Sequence, residues 1–220
     1  MEARRSPAWA ARTRGQLYRL LSVGFSPPTA AGLVVMPGQL RAAREITALY
    51  PTPQLAPALD LPAVPLEEVQ GEYLRLFQGP GHLLAPPYES VYRHPEGLVM
   101  GEWAGEMTRW LGEEGLALSP HFRDLPEHVA VELEFMACLC AAEARAWRGA
   151  DEKRVRHYLA RERDMLRGHL SCWVPAFCQQ VQASARPGLY PSLAGLLSLY
   201  ITLEEAWVGS LLRDLSGVGV

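Results

Sequence analysis

The chain has 220 residues, 49% hydrophobic and 20% charged, a balance that fits one globular domain and excludes a collagen-like, low-complexity or disordered polypeptide. The formal net charge is −3, which gives no overall basic character for holding nucleic acid. Four cysteines, Cys138, Cys140, Cys172 and Cys178, make no CxxC pair and no zinc spacing with histidine, so they are expected as buried cytosolic thiols.

In chain order, residues 8–25 read as a first helix, with Leu17, Leu20, Leu21 and Gly24 on one face and Ser26-Pro27-Pro28 as its end. A second helix is expected over 37–50, with Pro37 in its first turn. The proline-rich stretch 51–65 reads as a surface connection. Over 65–77, Leu66, Val69, Tyr73, Leu76 and Phe77 recur at spacings of three and four, the face of an amphipathic helix that Gly79, Pro80 and Gly81 stop. Residues 99–115 carry a core stripe of Met100, Trp103, Met107, Trp110 and Leu111, with Glu102, Glu106 and Glu113 outside it.

Residues 115–125 read as a connection and a hinge between two halves of one domain. The helix expected over 125–147 is apolar on opposite sides, with Val129, Leu133, Met136 and Cys140 on one and Val131, Phe135, Cys138 and Ala142 on the other. Such a helix belongs at the centre of a bundle, with Leu133, Met136 and Leu139 buried. Residues 150–173 form a charged amphipathic helix, Pro175 interrupts, 177–185 continues briefly, and 189–215 closes the chain. No run alternates with period two long enough for a strand. The expected fold is an all-α bundle of about seven to nine helices.

Charge is unevenly spread. Residues 60–143 hold fifteen Asp and Glu against four Arg, a net of −11, and the remainder carries +8. The acidic block attracts cations and repels nucleic acid. In the basic part, Arg145 to Arg167 alternates with Asp151, Glu152, Glu162 and Asp164, the pattern of a salt-bridged helix face. The uncharged runs at 20–40 and 187–203 are broken by proline or too short to span a bilayer, and Arg4-Arg5 is not followed by an apolar leader segment. A cytoplasmic protein with no stable membrane insertion is expected.

Motifs for catalysis are absent: no phosphate loop, HExxH, Glu-x-x-His or GxSxG occurs. His128 and Glu132 share a helix face but have no visible partner pair, and Cys178 with His169 lacks a third group. No enzyme activity, metal or cofactor is expected from these spacings.

The informative stretch is 72–101. Pro86-Pro87 holds it extended, and Tyr73, Tyr88, Glu89 and Tyr92 crowd it, so an ordered lip over the body is expected rather than a solvated tail. Tyr73-Leu74-Arg75-Leu76-Phe77 resembles the aromatic-x-x-Leu-Phe pattern of the TorD/DmsD family of redox-enzyme maturation chaperones. Pro87-Tyr88-Glu89-Ser90-Val91-Tyr92 is similar to that family's proline-x-tyrosine loop. Glu127-His128-Val129-Ala130-Val131-Glu132-Leu133 resembles its Asp-His-x-x-x-Glu-Leu helix start, with Glu127 where Asp is usual.

The resemblance implies a TorD-like bundle, monomeric or paired by exchange of halves. It implies an assembly chaperone that binds the twin-arginine leader or body of a molybdenum-dependent oxidoreductase subunit before cofactor insertion and export. The peptide-binding residues it points to are Tyr73, Leu76, Phe77, Pro87, Tyr88, Glu89, Tyr92, Glu127, His128 and Glu132. An acidic rim would meet the leader's arginines, and an apolar cleft would take its helix-forming segment. The alternative is a helical enzyme or small-ligand binder with a cleft under the 78–98 loop. A deep pocket with a titratable cluster of shifted pKa would favour that alternative, and a shallow apolar groove would favour the chaperone.

Overall fold

A computed structural model describes residues 6–79, 83–97, 99, 101–119 and 122–215, and its fold is all-α. Helix α1 (Pro7–Phe25) starts at Ser6, whose hydroxyl accepts from Trp9 N at 3.2 Å, with proline at the first helical position. Helix α2 (Ala30–Ala43) starts at Thr29, whose side chain accepts from Gly32 N at 3.0 Å. The helix expected from residue 37 therefore begins seven residues earlier, and Pro37 lies inside it. Proline is a good first residue, but the Thr29 cap and the apolar run after it set the start. A 3-10 turn, Arg44–Ala48, follows.

The expected surface connection contains the short α3 (Leu55–Ala58), and Leu55 and Leu59 are fully buried. Helix α4 (Leu66–Tyr73) passes into a π turn, Leu74–Gln78, after which Ala85 N donates back to Leu76 O at 3.0 Å. Helix α5 (Glu89–Arg93) is a single turn inside the expected lip, and α6 is Glu102–Glu113. The central α7 (Val129–Arg148) begins after His128. Helix α8 (Glu152–Met165) runs through a second π turn, Leu166–Leu170, into α9 (Ser171–Ser184), and α10 (Leu189–Leu215) closes the chain. Pro175 sits within α9 and does not divide it; the irregularity falls earlier, at the π turn. Pro80 and Gly81 of the expected helix stop, Met100 of the expected stripe, and Pro120 and His121 of the expected hinge lie outside the described residues.

Helix α7 occupies the centre. Leu133 and Met136 are fully buried and Leu139 nearly so. Helix α1 lies along it, closely enough that a Cβ at Gly15 would come within 3.1 Å of Cys140 Cβ and 3.3 Å of Ala137 O. Deeper in the bundle, Arg14 of α1 is fully buried among three carboxylates. It donates to Glu204 Oε1 of α10 at 2.9 Å, to Glu143 Oε2 of α7 at 2.9 Å and to Glu162 Oε2 of α8 at 2.5 Å. Tyr50 also donates to Glu204, and Tyr200 donates to Arg14 O at 2.9 Å. Burial draws Arg14 down, but Glu162, Glu204 and Glu143 together hold it well above the ordinary range. Burial pushes the Glu162 and Glu143 carboxyls up, against the pull of Arg14. Four helices are thus tied at one buried cation. Among the described residues no helix is long and apolar enough to cross a membrane.

Candidate functional site

The lip and the start of α7 are built as one unit. Pro86 and Pro87 deliver Tyr88 in extended conformation opposite His128, an isolated antiparallel bridge. Val129 N donates to Pro87 O at 2.9 Å, and Glu89 N donates to Glu127 O at 3.2 Å. The first bond satisfies one of the amides that every helix start leaves without an internal partner. His128 satisfies the next, its Nδ1 accepting from Ala130 N at 3.0 Å. That bond requires a neutral ring with Nδ1 unprotonated. Burial pulls His128 down to about 4, with Asp124 acting in the opposite direction.

Glu127 serves both helix starts. Its Oε2 accepts from Ser90 N at 2.9 Å and from the Ser90 hydroxyl. A carboxylate between two positive helix ends is favoured electrostatically as well as by these bonds. Glu89 is held at both oxygens: Arg93 Nη1 lies 2.5 Å from Oε1, and His169 Nδ1 lies 2.7 Å from Oε2. Trp173 Nε1 donates to Glu132 Oε2 at 3.0 Å, and burial, then the neighbouring Glu89, raises the Glu132 carboxyl well above its ordinary range.

Pro87, Tyr88, Glu89, Glu127, His128 and Glu132 therefore converge. Tyr92 packs on Trp173 (5.6 Å between ring centroids) and Phe177 (6.2 Å). Tyr73, Leu76 and Phe77 lie in an aromatic core where Phe77 meets Tyr73 at 5.1 Å, Tyr190 at 5.2 Å and Phe177 at 6.1 Å, and the Tyr73 hydroxyl is near enough to Asp124 and Tyr88 to feel them. The expected acidic rim needs correction. Glu89, Glu127, His128 and Glu132 are all 0% exposed, because backbone amides, Ser90, Arg93 and Trp173 enclose them. Pro87 is buried too, and among the expected peptide-binding residues Tyr88 and Tyr92 alone are half-exposed.

An apolar groove opens beside this unit. Its volume is about 410 Å³, and Leu111, Leu116, Leu118, Phe122, Val131 and Phe135 supply most of its wall. It lies between the segment after α6, the outer face of α7 and Ser22 and Ser26 of α1. The His128 ring packs both on Phe122 of the groove wall, 6.2 Å between centroids, and on Tyr88 of the lip, 5.5 Å. The Tyr88 hydroxyl donates to Asp124 Oδ1 at 2.9 Å. Glu134 lines the groove, 45% exposed and 3.2 Å from Arg19. Sequence reasoning missed this groove. Its signal was the second apolar face of the central helix, Val131, Phe135 and Cys138, together with the unexplained Leu116, Leu118 and Phe122 of the connection.

The family model described as nitrate reductase delta subunit matches residues 45–179. The Chaperone protein TorD of Aliivibrio fischeri is 23% identical over 201 residues, 87% of this chain and 92% of that protein. The Chaperone protein TorD of Vibrio parahaemolyticus is 26% identical over 141 residues, and that of Photobacterium profundum 28% over 141 residues. Both of these matches span 64% of this chain and 64% of the relative, just under two thirds. A crystal structure from Archaeoglobus fulgidus, assigned as a redox enzyme maturation protein, superposes with a TM-score of 0.51 at 21% identity. It covers 89% of this chain and 93% of its own, and at that identity it speaks to the fold.

Proposed function

The chain belongs to the nitrate reductase delta subunit family of TorD-type redox-enzyme maturation chaperones, and from that premise we propose that it binds the twin-arginine leader of a molybdenum-dependent oxidoreductase subunit in the cytoplasm. The family is one of chaperones rather than enzymes. In this reading the chaperone holds its client until the cofactor has been inserted.

The observation that carries the reading is the apolar groove along α7, whose Phe122 shares the His128 ring with Tyr88 of the lip. A leader presents a cationic stretch followed by an apolar, helix-forming one. The apolar segment fits the groove as a helix fits a hydrophobic cleft. The cationic stretch meets Glu134 at the groove and Asp124 beside Tyr88, inside a block of fifteen Asp and Glu against four Arg. Glu89 and Glu127 act from below, fixing Tyr88 and the start of α7 rather than touching the peptide. The segment 115–125, which supplies Leu116, Leu118 and Phe122, serves as the hinge between the N-terminal and C-terminal halves. The titratable clusters lie sealed in the interior while the groove wall is apolar, which favours peptide binding over small-molecule chemistry.

The test is stopped-flow binding of a fluorescent leader peptide over a salt series. Phe122→Ala and Tyr88→Ala should speed dissociation about tenfold or more with the salt slope unchanged. Glu134→Lys should slow association and flatten its salt dependence. Wild-type kinetics in all three variants, with circular dichroism unchanged, would remove the leader from this groove.

A further inference from the structure

Below the lip, Glu89 of α5, Glu132 of α7 and His169 of the second π turn converge, all buried, with one potential ligand atom from each lying within 4.8 Å of the other two. We propose that these three side chains form a binding site for a divalent cation of the zinc class.

The argument rests on how the outer atoms are used. Glu89 Oε1 is taken by Arg93 at 2.5 Å, and Glu132 Oε2 by Trp173 Nε1 at 3.0 Å. His169 Nε2 faces Glu106 Oε2 of α6 at 3.9 Å. Each residue is thus gripped from outside, and the inward atoms are Glu89 Oε2, Glu132 Oε1 and His169 Nδ1. Glu132 Oε1 is buried with no donor against it, and its carboxyl meets that of Glu89. Two carboxyl groups in contact, away from water, hold either a shared proton or a cation between them. A divalent ion can take the place of that proton, and two carboxylates neutralise it.

Metal-binding histidines ordinarily donate their second ring N–H to a carboxylate, and metal-binding carboxylates are themselves hydrogen-bonded. Glu106, Arg93 and Trp173 occupy those outer positions. Binding moves His169 Nδ1 from Glu89 to the cation, with the ring proton carried on Nε2, which faces Glu106 at 3.9 Å. Three nitrogen and oxygen ligands with a fourth position open suit zinc. Magnesium, which keeps several waters, suits this enclosed site poorly. The three ligands come from separate elements, so no sequence spacing announces them.

The experiment measures Zn²⁺ uptake by the full chain, stripped with chelator, using equilibrium dialysis in a Cys138→Ser, Cys172→Ser background that removes the two thiols open to solvent. One Zn²⁺ per chain and a raised melting temperature are expected, with no response to Mg²⁺. Glu132→Gln and His169→Ala should each weaken uptake more than tenfold, and Glu106→Gln by about 10–100-fold or less. Co²⁺ in the unsubstituted chain gives a check that needs no variant: its absorption should show nitrogen and oxygen ligation without a thiolate charge-transfer band. Absence of stoichiometric Zn²⁺, uptake that survives Glu132→Gln, or a thiolate band would each overturn the site.

Discussion

At its C-terminal half α7 sends Glu143 to a buried guanidinium, and before its N-terminal end Glu127 binds the backbone of a loop while His128 caps the helix itself. Both regions bury carboxyl groups, but they solve the cost of burial differently. Around Arg14, a single cation answers Glu143, Glu162 and Glu204, so charge is balanced by charge and protons. At the lip, Arg93 answers Glu89 while the Ser90 amide and hydroxyl answer Glu127, so charge is balanced partly by charge and partly by hydrogen-bond dipoles. The first arrangement fastens four helices. The second fastens a loop that must stay in place beside a binding groove. Charge balance makes the bundle depend on one residue, whereas the lip divides its dependence among several weaker bonds.

The largest expected effect breaks the first region. Arg14→Met leaves three buried carboxyl groups without their cation and should cost about 3–5 kcal/mol in urea unfolding. Adding Glu162→Gln and Glu204→Gln should recover much of that loss. Near wild-type stability for Arg14→Met alone would mean that the cluster is not the fastening described.

The next effect separates the regions by the sign of their pH response. His128 is held to about 4 in the folded chain, against an ordinary value near 6.5. The unfolded chain therefore takes up a proton before the folded one does, and stability falls as pH drops from about 6.5 to about 4. The loss should approach roughly 3 kcal/mol, and His128→Asn, which keeps a capping side chain, should flatten it. Glu143 and Glu162 shift upward, so the folded chain keeps protons that the unfolded one has released. Their contribution is complete below the ordinary carboxyl range and is lost as pH rises through their folded pKa values. Glu162→Gln should make the fall in stability with rising pH, which starts above the ordinary carboxyl range, shallower.

Smaller still is Glu127→Ala, which strands the Ser90 amide and should cost about 1–3 kcal/mol. Its signature is local: faster hydrogen exchange at Glu89, Ser90 and Val129, with amides in the middle of α7 unaffected. Uniform acceleration along α7 would show that lip and bundle are one cooperative unit.

Much of the fold is legible in the sequence, because α1, α7 and α10 carry long apolar patterns that force them into a bundle. Where a residue has competing local meanings the reading slips: Pro37 is a natural first residue, and Pro175 a natural breaker, yet both sit inside helices. Arg14 shows the deeper limit. As sequence it is one more charge interrupting an apolar stretch, since its partners lie 129, 148 and 190 residues away. The site is legible in its neighbours and not in its exposure. Motifs place Tyr88, Glu127 and His128 near one another, but a glutamate in an acidic block reads as surface. Only the fold shows that Ser90, Arg93 and backbone amides enclose it. The groove escapes notice because its wall combines a helix face with a connecting segment, and neither is informative alone.

The π turn at Leu166–Leu170 bears on how the chain tolerates changes in length. A π turn holds one residue more than the α-helical turn it replaces. Removing Gly168, whose Cβ position is open, would let the backbone close into regular helix with little strain. The two sides would then keep nearly the same bearing on one another, because the tighter turn covers a comparable rotation with one residue fewer. Trp173 and Phe177 would go on facing Tyr92. At this position a deletion is absorbed by the turn, whereas one in the regular part of α9 would rotate everything after it by about 100°.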